Sequence, residues 1–158
     1  MKTRRISKTL SLILVLAAIA GCSASPPPAT AVSWKDFRNQ ANNDKQISLE
    51  GYVRLPVAAL VSDTMLVDLY EQPEGKGETI PFSTRVGSSA NQIEKPPEDY
   101  TQDDLKLHAG DGSLVGLNDK VRVSGKYIHA ESGAILYAPI EIVKLGGAAS
   151  APVPASTP

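Results

Sequence analysis

Five carboxylates crowd one short stretch of the chain: Glu94, Glu98, Asp99, Asp103 and Asp104. Clustered carboxylates can hold a hard cation such as calcium, which takes several oxygen ligands. The loop spacing for that chemistry, Asp-x-Asx-x-Asx-Gly with a terminal Glu, is absent. The cluster therefore reads as a solvated acidic loop, and no metal site is expected. Asp111-Gly112-Ser113 is not such a loop either and reads as a turn. An enzyme of an unrecognised kind remains an alternative, with these carboxylates as its candidate catalysts.

The remaining reactive side chains are sparse. His108 and His129 are the only imidazoles, and neither has a partner at zinc-ligand spacing. Acyl transfer would need one of them beside a serine and a carboxylate. No Gly-x-Ser-x-Gly elbow exists, and Gly87-Ser88-Ser89 resembles one only superficially. With no nucleophile–base pair and no metal cluster, a binding module without enzymatic activity or cofactor is expected.

Binding chemistry is better represented. Ile47, Leu49, Gly51, Val53 and Leu55 alternate with Ser48, Glu50, Tyr52 and Arg54, the period of a half-buried strand. That strand is expected to continue, bent at Pro56, through Val57 to Val61. In Thr64 to Glu71, Met65, Val67 and Leu69 share a face. With Val53 and Val67 inward, Tyr52, Arg54, Asp68 and Tyr70 point outward on neighbouring strands. The tyrosines would give apolar contact area, and Arg54 could orient a carboxylate through a bidentate pair. Plain cross-strand surface pairing is the competing reading.

Other elements must position that face. Ser33 has the chemistry of an N-cap, with Asp36 in the first turn of a short helix to about Asn42. Trp34 and Phe37 on that helix read as core anchors. Glu71 to Gly77 is a turn rich in Gly and Pro, and Thr79 to Ser83 a third strand whose Pro81 marks an edge or bulge. Lys120 to Ile128 and Ala134 to Leu145 flank the tight loop Glu131-Ser132-Gly133. Between them and the third strand lies a long insert, Thr84 to Asn118. It is either an irregular loop or an added hairpin around Gly110-Asp111-Gly112, and long insertions in compact domains are often functional or mobile.

The whole order predicts a mainly β fold: a small five-stranded barrel with a short N-terminal helix and a long insert before the fourth strand. From Gln46 to Leu145 it resembles the OB-fold, on Leu49-Glu50-Gly51-Tyr52-Val53, Asp119 to Tyr127, and Ala138-Pro139-Ile140-Glu141-Ile142-Val143. Glycines in the first and fourth strands fit the coiling a small barrel needs. The chain is similar to the OB-fold domains of exported bacterial proteins, including the group named after tRNA anticodon binding. The resemblance implies outer-face stacking of bases or sugars. Staphylococcal-nuclease-like enzymes share a related barrel, but no matching motif surrounds Arg54, Arg85 or Arg122.

The ends of the chain set its address. Lys2, Arg4, Arg5 and Lys8 precede a largely apolar run from Leu10 to Ala20, the form of a secretory signal. As a helix that run spans about 16 Å, roughly half a bilayer core. Ile19-Ala20-Gly21-Cys22 resembles the lipobox of bacterial lipoproteins. The resemblance implies cleavage after residue 21 and acylation of Cys22, an anchor in the lipid bilayer. Cys22 is the only cysteine, so acylation leaves no thiol for disulfides or redox chemistry. Thr3-Arg4-Arg5 looks like a twin-arginine signal, yet Ser7 and Lys8 favour the general secretory route. Ser23, where aspartate would retain the protein at the inner membrane of enteric bacteria, favours the outer membrane, facing the periplasm, if the host has two membranes.

The expected organisation is a signal peptide over 1–21, a lipidated tether over 22–32, the barrel over 33–145 and a disordered tail over 146–158. Four of the sixteen basic residues lie in the signal, so twelve face seventeen acidic ones in the mature chain, a net charge of −5. That balance repels phosphate backbones, so no nucleic acid is expected and envelope proteins or glycans are the expected partners. Oligonucleotide binding is the alternative.

Overall fold

The computed structural model describes residues 28–57, 62–131 and 133–147. The signal peptide, Cys22, most of the tether and the tail from 148 onward lie outside the described residues. Nine strands form one mixed sheet. They are β1 (Thr30–Ala31), β2 (Gln46–Arg54), β3 (Thr64–Gln72), β4 (Lys76–Val86), β5 (Gln92–Ile93), β6 (Leu107–His108), β7 (Leu114–Val115), β8 (Asp119–Ala130) and β9 (Gly133–Gly147).

The five long strands pair in a partial ring. β2 pairs antiparallel with β3 and with β8, β3 with β4, and β8 with β9. The ring meets itself only where Phe82 of β4 lies parallel to Leu136 of β9. Pro81, which has no N–H to donate, sits one residue before that meeting point. Inside the ring, the alternation in the sequence becomes a core: Leu49, Val53, Met65, Val67, Leu69, Ile80, Phe82, Val121, Val123 and Leu136 are all buried.

Two glycines let the strands bend. Gly51 stands where β2 passes from its β8 partner to its β3 partner. A Cβ there would collide with the Tyr70 carbonyl. Gly125 occupies the bulge in the β8–β9 ladder, where a Cβ would sit 2.6 Å from Ile140 Cδ1 and 3.0 Å from the Tyr137 carbonyl. Close backbone approach, rather than φ, excludes a side chain at Gly51, whereas at Gly125 the Ile140 side chain and the Tyr137 carbonyl crowd the same space.

The expected N-terminal helix does not form. Residues 34–38 are successive turns, followed by a 3-10 turn over Gln40–Asn42. Side chains take the backbone groups a helix would need. Ser33 Oγ donates to the Asp36 carboxylate at 2.6 Å, and Asn42 Nδ2 donates to the Asp36 and Phe37 carbonyls at 2.9 and 3.1 Å. Asp44 is left-handed at φ 62° and ends the segment. Trp34 and Phe37 still reach the core from this turn. Phe37 is wholly buried, edge-on to Trp34 at 5.3 Å and to Tyr127 at 6.4 Å, while Trp34 Nε1 donates to the Glu50 carbonyl at 2.7 Å.

The long insert is structured and partly core. β5 adds to β4, β6 to β5 and β7 to β6, and Ile93, Leu107, Ala109 and Val115 are buried. The hairpin around Gly110-Asp111-Gly112 is present, with Leu107 opposite Val115 and His108 opposite Leu114. Asp103 and Asp104 do not join it; they sit in a 3-10 turn closed by a Thr101–Asp104 capping box. From the same turn Gln102 bonds both backbone groups of Leu55 at 2.8 and 2.9 Å, and just before it Tyr100 Oη donates to the Pro56 carbonyl. The insert thus takes over the end of β2 as a strand would. β2 itself stops at Arg54, and residues 58–61 of its expected continuation lie outside the described residues. At the chain ends, Thr30–Ala31 runs parallel to Ile47–Ser48, and Gly146 and Gly147 lie opposite Lys120 and Asp119.

Candidate functional site

The β2–β3 register brings the four predicted face residues together in two direct cross-strand pairs: Tyr52 opposite Tyr70, and Arg54 opposite Asp68. All four are half-buried rather than fully exposed. Part of the cover is the turn over Pro73–Gly75, where Glu74 and Gly75 adopt left-handed backbones and place Gly75 under the Tyr70 ring. The row continues sideways with non-aromatic residues, Tyr52 being opposite Lys120 of β8 and Tyr70 opposite Thr79 of β4.

Electrostatics divides this face. Burial pushes the Asp68 carboxyl above its ordinary value, since no cation compensates its lost hydration. Arg54 forms no ion pair among the described residues, and its Nε is buried without a hydrogen-bond partner. Glu74 is held below the ordinary carboxylate value by its bond to Lys76 at 2.7 Å and, more weakly, by the Arg54 charge. Neighbouring cations are already engaged. Glu50 takes Arg122 at 2.7 Å and Lys120 at 3.0 Å, and those two bonds hold its carboxyl low. A guanidinium with free donors beside two tyrosines can receive a carboxylate or other acceptor-rich group.

The acidic stretch does not converge. Glu94 turns to His108, with Oε1 at 3.1 Å from Nε2, and to Lys106 at 3.5 Å. Asp104 caps the turn at Thr101, and Asp111 takes the Ser113 amide and hydroxyl at 2.9 and 2.7 Å, the turn expected from sequence. Among the described residues, no group of three or more His, Cys, Asp or Glu side chains is placed to hold a metal. His129 stacks on the Tyr127 ring, its Nδ1 3.4 Å from Tyr127 Oη. Also among the described residues, no helix is long and apolar enough to cross a membrane.

Arg85, Asn91 and Gln92, which the sequence reading did not single out, line a cavity of about 500 Å³ where β4 and β9 diverge. Their only signal in sequence is a polar cluster at the start of the insert. No family model, no curated protein and no solved structure matches this chain.

Proposed function

We propose that this chain is a lipid-anchored envelope protein whose OB-like barrel is a non-catalytic binding or assembly module for an envelope protein or glycan. The leader with its Cys22 lipobox supports the anchor, and Ser23 supports delivery to the outer membrane where the host has one. The partial five-strand ring, closed by one parallel contact, supports the OB-like reading, since that fold is a partly open five-stranded barrel. The binding role is carried by one observation: the Tyr52–Tyr70 and Arg54–Asp68 pairs share one face, and Arg54 forms no ion pair among the described residues. A half-buried guanidinium beside two tyrosines can pair with an acceptor-rich group. Glu50 engages both adjacent cations, Lys120 and Arg122, which counts against a phosphate-tracking groove.

Two measurements test the proposal. Radiolabelled palmitate is expected to enter the wild-type chain and not Cys22→Ser; equal labelling removes the anchor. Envelope material captured through a tag after Gly146 is expected to lose its enriched partner when Tyr52 and Tyr70 are both replaced by alanine. Unchanged capture removes this face as the binding surface.

A further inference from the structure

We propose that the open side of the ring holds a second binding site, built around Arg85, for the carboxylate of a sugar acid. β4 and β9 share a single ladder pair, Phe82 with Leu136. Beside it lies the cavity of about 500 Å³, lined by Ser83, Thr84 and Arg85 from β4 and by Ala138, Pro139 and Ile140 from β9. A second cavity of about 640 Å³, with Ser62, Asp63 and Thr64 on its rim, opens on the other side of the same arginine. Arg85 is exposed and its guanidinium has no ion pair or hydrogen bond among the described residues, whereas Arg38 and Arg122 are both paired.

The side-chain amides of Asn91 and Gln92, which line the same cavity, each give their oxygen to a backbone donor. Asn91 Oδ1 accepts the Ile142 amide at 2.7 Å, and Gln92 Oε1 accepts the Ser89 amide at 3.1 Å. Each oxygen is fixed by a backbone donor, so each side-chain NH2 is left for something else. Both residues are held in place. Asn91 is left-handed at φ 58°, and its carbonyl accepts from Thr84 Oγ1 at 2.8 Å. The Gln92 side chain lies against Gly87, where a Cβ would collide with it. A guanidinium and two amino groups make this cavity rich in donors, and their complement is an anionic, acceptor-rich group such as a carboxylate.

The surroundings select what carries that carboxylate. Asp63 on the far side of Arg85 repels a second anion and accepts from hydroxyls, as do Ser62 and Thr64. A ligand with one carboxylate and several hydroxyls meets both conditions. An extended peptide fits less well, because Pro139 in the β9 wall has no N–H for a strand ladder.

The test is fluorescence-polarisation titration of the full chain in detergent with D-glucuronate labelled through its anomeric oxygen. Saturable binding is expected, competed by unlabelled glucuronate and not by its methyl ester. Arg85→Gln is expected to weaken it about tenfold or more, the effect of losing a charge-assisted pair. Gln92→Glu retains the acceptor for the Ser89 amide while placing an anion against the ligand, and is expected to abolish binding. Absence of binding, equal competition by the methyl ester, unchanged affinity in either variant, or preference for acetyl-Ala-Ala over glucuronate overturns the proposal.

Discussion

Arg54 stands directly opposite Asp68 across the β2–β3 ladder, yet the two make no ion pair and Arg54 Nε is buried without a partner. The opposite charges are thus in register without neutralising each other. An unmet buried donor costs about 1–3 kcal/mol, so the pair is less stable than its register would allow. Sites that bind are where such a deficit can persist.

Arg54→Met keeps the aliphatic stem and deletes the orphan N–H. It is expected to raise stability by about 1 kcal/mol in urea unfolding while weakening capture of the envelope partner. Lower stability with undiminished capture would mean that the guanidinium serves the fold alone.

Asp68 has its carboxyl raised above the ordinary 3.8 by burial. The fold therefore favours the neutral acid, and the charge destabilises fully above the raised value. That penalty fades as pH falls and is gone below 3.8. Asp68→Asn is expected to raise the unfolding midpoint at pH 7 and to leave it nearly unchanged at pH 3. Thermal melts across that range read the difference directly.

Gly51→Ala would drive a Cβ into the Tyr70 carbonyl at the point where β2 changes partners. A loss of about 1–3 kcal/mol, typical of overpacking, is expected in denaturant titration. Loss of partner capture should follow, because the same contact sets the Tyr52–Tyr70 register.

Phe37→Ala empties the centre of the Trp34–Phe37–Tyr127 stack and is expected to cost about 3–5 kcal/mol. Calorimetry would show a large fall in Tm. A change below about 1 kcal/mol, ordinary for surface positions, would mean the N-terminal turn is not anchored to the core.

The strands were legible because each long one alternates inward and outward residues, and period two survives any tertiary context that covers one face. The face followed from that alternation, and Tyr52 and Tyr70 fell opposite each other as the inward set requires. The N-terminal segment differs from the expected helix because Ser33, Asp36, Asn39 and Asn42 suit a cap and a competing turn equally well. Anchoring Phe37 decided for the turn. In the insert, the carboxylates drew attention from Ile93, Leu107 and Val115, whose two-residue strands are too short to show a period. The Arg85 cavity depends on Asn91 and Gln92 facing inward, which no local pattern encodes.

Photocrosslinking from position 70 in intact cells tests the binding face most directly, with an aryl-ketone amino acid replacing Tyr70. The expected result is a discrete adduct that disappears when Arg54 is replaced by alanine and is absent when the probe sits at exposed Glu98. The same adducts from both positions, or none from position 70, would contradict a binding role for the Tyr52–Tyr70 face.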